Sequence, residues 1–164
     1  MNKYRLAIIL FFLFVQKYSS CQMVYDIQLS DLDGSTVRIG ELKGEKLTVV
    51  DFWATWCRPC LNSIPELIKL SDLYSEKGVK FIGINEDGPR NATKVRPFAV
   101  SLGINYPVLF DTEQTLLTNF LVDGFPTLII LDKNGKPLFT HLGYTNGDEN
   151  IIADAIEKLL SDKD

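Results

Sequence analysis

The stretch VVDFWATWCRPC, residues 49–60, sets two cysteines two residues apart directly behind an apolar run that contains an acid. The wider run KLTVVDFWA (46–54) is nearly continuous in apolar residues, the pattern of a strand buried on both faces. Beyond Cys57, apolar residues fall at Leu61, Ile64, Leu67, Ile68, Leu70, Leu73 and Tyr74, and this spacing predicts an amphipathic helix over 58–77 that Gly78 ends. Cys57 therefore sits where a strand gives way to a helix, with Cys60 one turn in. Pro59 suits that first turn, where its missing N–H costs nothing.

Three chemistries compete for such a pair. Zinc needs about four ligands, and beyond this pair the chain offers only distant Cys21 and one histidine, His141, in a strand-like segment that reads as packed or surface. A structural disulfide across so short a loop restrains little of the unfolded chain. Redox exchange explains position as well as spacing. Unpaired N–H groups and the helix dipole stabilise a thiolate at Cys57, and Arg58 acts in the same sense. Cys60 is then placed to attack a mixed disulfide formed by Cys57. Asp51, six residues before Cys57, is expected to be buried, and burial raises a carboxyl pKa. It can then accept or supply the Cys60 proton; the alternative is an acid satisfied by backbone or water. Trp56 can shield the cysteines and touch substrate or simply pack, whereas Trp53 reads as core.

The whole chain of 164 residues suits one domain, and 46% hydrophobic with 23% charged residues is enough for a core without staples. Residues 1–20 read as an export signal: Lys3 and Arg5, the apolar run Leu6 to Val15, then small Ser19, Ser20 and Cys21. Ten helical residues rise only ~15 Å, about half of a bilayer core, which argues against a membrane span. YSSC (18–21) also reads as a lipidation box with Cys21 acylated, although Tyr18 stands where an aliphatic residue is usual. The domain is expected over 21–164. Without residues 1–20 it carries 14 basic and 21 acidic residues, net −7, which disfavours nucleic acid.

Along the domain, YDIQLSDLDGSTVRIGELKG (25–44) predicts two short strands around Asp33-Gly34, and VKFIGIN (79–85) a buried strand. NATKVRPFAVSLG (91–103) reads as a helix disturbed by Pro97, YPVLFD (106–111) as a strand and EQTLLTNFL (113–121) as a short helix. TLIILD and KPLFTHLG form a hairpin around Asn134-Gly135, and DENIIADAIEKLL (148–160) closes the chain as a helix. Pro65 is expected to kink the first helix. The result is α/β with a mixed sheet. Asn91 heads an Asn-Ala-Thr triplet, read as a chance match to a glycosylation acceptor.

VVDFWATWCRPC is very similar to the active-site segment of the thioredoxin family, and GFPTLIILDKNGK (124–136) resembles that family's cis-proline loop and following hairpin. The resemblance covers roughly residues 25–160. It implies a thioredoxin-like fold, a central mixed β-sheet flanked by helices, with an N-terminal β-hairpin and a helix–strand insertion. It further implies that Pro126 is the cis-proline facing Cys57 and Cys60, with the Phe125 backbone free to pair with an extended substrate peptide. Signal, hairpin and the long connection from Asn85 to Gly124 are similar to the exported TlpA-like thiol–disulfide oxidoreductases. Such proteins act as reductants outside the cytoplasm, for instance on apocytochrome c, with no bound cofactor, protein disulfides as substrates and a membrane electron donor. Gly83 replaces the lysine that thioredoxins place near the buried acid, and Glu86 or Asp87 lies near a glutamate many members of the branch use. A dithiol oxidant or isomerase, a peroxiredoxin-like peroxidase and a non-catalytic binding module are the competing functions.

Overall fold

In the computed structural model, which describes residues 24–162, seven strands form one mixed sheet. In chain order they are β1 (Gln28–Asp31), β2 (Thr36–Arg38), β3 (Leu47–Trp53), β4 (Val79–Asn85), β5 (Val108–Phe110), β6 (Thr127–Asp132) and β7 (Pro137–Leu142). They lie side by side as β2-β1-β5-β4-β3-β6-β7. The central pairs β3/β4 and β4/β5 are parallel, and every other pairing is antiparallel. Among the described residues the sheet is flanked by α1 (Arg58–Tyr74), α2 (Ala92–Leu102), α3 (Thr115–Asn119) and α4 (Asp148–Ser161), and residues 24–26 are also helical.

β3 is buried along its whole length because both its faces are covered. Successive side chains alternate, so Leu47 and Val49 meet Leu67, Leu70 and Tyr74 of α1 and Ile152, Ile156 and Leu160 of α4. Val50 and Phe52 point the other way, against Tyr25, Ile39 and Leu116. Trp53 closes the end of the first face with Cys60, Ile64, Val95 of α2 and Val108. Each such side chain contributes roughly 1.5–3 kcal/mol by leaving water. The helix–strand insertion thus covers both sides: α2 lies over the cysteine end of one face and α3 over the other.

Two expectations shift in detail. The strand expected over 106–111 is confined to β5, and an unforeseen 3-10 turn spans Ile39–Glu41. Pro65 and Pro97 lie inside α1 and α2, and each helix runs through its proline as one element. Both prolines lie on exposed faces, where a carbonyl left without its helical partner is reached by water. The Asn134-Gly135 turn forms as expected, with Gly135 at φ 86° and Asp132 Oδ1 accepting the N–H of Asn134 and Lys136. The export signal and Cys21 lie outside the described residues. Among the described residues no helix is long and apolar enough to cross a membrane.

Candidate active site

Cys57 caps the N-terminus of α1 from an extended backbone, and its Sγ accepts the N–H of Cys60 at 3.2 Å. The two cysteines are joined as a disulfide, their Cα atoms 5.3 Å apart. Cys57 is 5% exposed and Cys60 not at all. Of the two cysteines, the one at the helix N-terminus is thus also the less completely buried. Arg58 and Pro59 are exposed beside it.

Trp56 is 65% exposed and meets Phe125 edge-to-face at 5.7 Å. Phe125 packs against the cluster that contains both cysteines, and its peptide bond to Pro126 is cis. The Pro126 carbonyl accepts the Gly143 N–H at 2.7 Å, which ties this loop to the end of β7. The cysteine loop and the proline loop, far apart in sequence, therefore share one edge of the molecule.

Asp51 lies under this edge, 1% exposed, with neither carboxyl oxygen hydrogen-bonded. Burial pushes its pKa up to about 7, because an uncompensated charge there would lose its hydration. It lines a small cavity, about 10 Å³ of room for a water centre, together with Ser63, Pro126, Leu128, His141 and Tyr144. His141 is thus beside the buried acid's cavity, and its Nε2 is 3.1 Å from Asp148 Oδ2 at the start of α4.

Glu86 and Asp87 separate clearly. Asp87 is saturated: its carboxylate accepts the Thr55 N–H at 2.7 Å, the Thr55 hydroxyl and the Asn85 amide at 2.8 Å. It braces the loop between β3 and Cys57. Glu86 keeps one buried oxygen without a partner, and burial together with the nearby Asp111 charge pushes its pKa up to about 8. Asp111 itself accepts the backbone N–H groups of Thr115, Leu116 and Leu117 at 2.8, 2.8 and 3.0 Å. Sequence reasoning did not single out Asp111, which lies four residues ahead of Thr115 rather than at the N-cap, where Gln114 stands. Thr55, Ser63 and Tyr106 were also missed; nothing in their local pattern marks them. Trp53 is fully buried, as its apolar surroundings suggested.

Residues 20–156 match the Redoxin family. The chain belongs to that family. Its fold is thioredoxin-like, and it is a TlpA-like member of the thioredoxin superfamily. The thiol-disulfide oxidoreductase ResA of Geobacillus thermodenitrificans (strain NG80-2) is 34% identical over 111 residues, 68% of this chain and 62% of that relative. The chain thus spans about three fifths of the length of the curated relatives it matches. A putative thiol:disulfide interchange protein DsbE from Chlorobium tepidum superposes with a TM-score of 0.74 at 28% identity, over 84% of this chain and 94% of that one. The pneumococcal exposed lipoprotein thioredoxin Etrx1 of Streptococcus pneumoniae strain TIGR4 gives 0.66 at 30% identity, over 80% and 98%.

Proposed function

We propose that the protein is an exported thiol–disulfide oxidoreductase that reduces disulfides in protein substrates through Cys57 and Cys60. The observation that carries this reading is the disulfide itself: a pair bonded across one helical turn, with Cys57 capping α1 and partly reachable. In the reduced protein the Cys57 thiolate attacks a substrate disulfide, a mixed disulfide forms, and one substrate thiolate leaves. Cys60 loses its proton to Asp51 and attacks Cys57 Sγ. The second substrate thiolate leaves and takes up a proton, so two electrons pass to the substrate and the Cys57–Cys60 bond closes. Trp56, Phe125 and Pro126 form the contact surface for an extended substrate segment.

The reductant direction is supported by the charge on the buried side of the thiolate, which acts against the helix N-terminus and Arg58. Arg58 favours a Cys57 thiolate, but it is exposed and screened by solvent. Asp51 is buried, and once ionised it opposes a thiolate nearby with far less screening. A less stabilised thiolate makes the dithiol the better reductant. A membrane electron donor would regenerate it. Export rests on residues 1–20 and on the pneumococcal relative, described as an exposed lipoprotein; by the same analogy Cys21 would carry a lipid that anchors the domain to the cell envelope. The Redoxin match leaves a peroxidase as the second reading, which rapid peroxide consumption by the reduced protein would favour.

The test is a pair of variants and a potential. Cys57→Ser should abolish disulfide reduction, and Cys60→Ser should accumulate mixed disulfides; retained activity in Cys57→Ser refutes the assignment. A reduction potential near −270 mV fits a reductant, whereas one near −120 mV reverses the direction.

A further inference from the structure

Among the described residues, five buried side-chain atoms have no hydrogen-bond partner, and four of them gather around one glycine. They are Asp51 Oδ1 and Oδ2, the Trp53 indole Nε1 and the Tyr106 hydroxyl. Gly83 on β4 pairs in register with Asp51 on β3. A Cβ placed on Gly83 would lie 3.1 Å from Trp53 Nε1 and 3.3 Å from Tyr106 Cε2, the ring carbon next to the one bearing the hydroxyl. Asp51 and Trp53 are two residues apart on one strand, so they share a face. The absent side chain at Gly83 is what lets the phenol edge and the indole reach the ground beside Asp51. Tyr106 arrives from the insertion, just before Pro107, whose carbonyl accepts the Gly83 N–H at 2.8 Å.

Two donors and one potential acceptor thus stand together, none satisfied. A protonated carboxyl offers these donors only its carbonyl oxygen and in return presents an O–H, while an ionised one demands donors at both oxygens. Burial, with a further contribution from the Asp51 charge, raises the Tyr106 phenol well above its usual range. The other titratable groups that line the cavity with Asp51 are His141 and Tyr144. These two are engaged with Asp148 and Glu149 of α4. From β6, Leu128 adds no polar group.

We propose that Tyr106 is a positioning residue for the proton step: its hydroxyl, admitted by the notch at Gly83, donates to the Asp51 carboxylate as that acid ionises. Tyr106 thereby sets the pH at which Asp51 can receive the Cys60 proton, with the Trp53 indole as a second donor at the same notch. This rests on the role given to Asp51 in the proposed function. It also explains how the acid can ionise at all without a cation beside it.

The experiment follows the Asp51 carboxyl carbon by NMR in aspartate-labelled protein, oxidised and reduced, from about pH 4 to about pH 10, with Asp51→Asn identifying the signal. Tyr106→Phe removes only one oxygen and should raise the Asp51 midpoint by about one unit, a roughly tenfold fall in the ionised fraction below the midpoint. The pH profile of substrate release from the mixed disulfide should move with it. A midpoint unchanged within about 0.2 units, with only thermal stability altered, means Tyr106 merely packs and overturns the proposal. Gly83→Ala, which crowds both donors, should shift the midpoint the same way and carries the test if Tyr106→Phe does not fold; an unchanged midpoint there overturns it equally. Because the carboxyl is observed directly, the result stands apart from the Cys57→Ser assay: loss of the proposed activity would leave the Asp51–Tyr106 coupling measurable.

Discussion

Two acids of one sheet, Asp51 in the middle of β3 and Asp111 just past the end of β5, are each only 1% exposed, yet the protein treats them in opposite ways. Asp111 meets three backbone N–H groups at the start of α3, donors that a short helix cannot satisfy internally. Asp51 meets none, and its pKa rises to about 7. Burial is the same; the partners differ. A buried carboxyl with donors serves as a structural clamp, whereas Asp51, without donors, changes charge near neutral pH and can move a proton. Asp87, with its bonds to Thr55 and Asn85, belongs with Asp111. Glu86 stands between the two kinds, since one of its oxygens is left without a partner and Asp111 repels its charge.

The sharpest way to break this contrast is the stability of Asp51→Asn against pH. The folded pKa of Asp51 is raised from 3.8 to about 7, so the stability held at low pH is lost as pH rises through that window. Above pH 7 the loss approaches ~4 kcal/mol. Urea unfolding should show that decline in the parent protein and a profile flatter by about this amount in Asp51→Asn. If the two profiles run parallel, Asp51 keeps an ordinary carboxyl pKa in the folded protein, and its place as a proton acceptor poised near neutral pH is refuted. Asp111→Ala should act differently. Stranding three backbone donors should cost about 2–3 kcal/mol, while disulfide exchange persists in the folded fraction. A variant that loses exchange without losing stability would move Asp111 into the chemistry. The smallest effect is expected at Glu86→Gln. Glu86 is raised from 4.5 to about 8, so its penalty likewise grows with rising pH across that range. Solvent reaches part of the side chain, and the relief at high pH should be only about 1 kcal/mol.

The difference between these acids bears on how far the sequence could be read. The apolar run with Asp51 inside it announced a buried acid, because a strand covered on both faces leaves no side for a charge to reach water. Glu86 and Asp87 could not be told apart, being adjacent and equally acidic; the partners that separate them, Thr55 and Asp111, lie about thirty residues back and twenty-five ahead. His141 read as an ordinary packed or surface residue. Only the hairpin's docking beside α4 brings it to Asp148 and to the cavity that Asp51 lines. Pro65 and Pro97 could be read as lying inside helices from the chain alone, but only the fold sets both on exposed helix faces.

By itself, the sequence determined what depends on neighbours along the chain: the strand-to-helix junction, the cysteine at the helix N-terminus with its partner one turn on, the hairpin turn at Asn134-Gly135, and the alternation of α and β. These follow from periodicity, capping and backbone preference, which act over a few residues. Tertiary structure alone decided which polar groups meet. Whether Asp51 is left bare and Asp111 is clamped, whether Phe125 reaches Trp56, and whether Tyr106 comes to Gly83 all turn on distances of a few ångströms between segments far apart in the chain. Hydrogen bonds and charge interactions inside a protein change sharply over such distances, and only the packed sheet sets them.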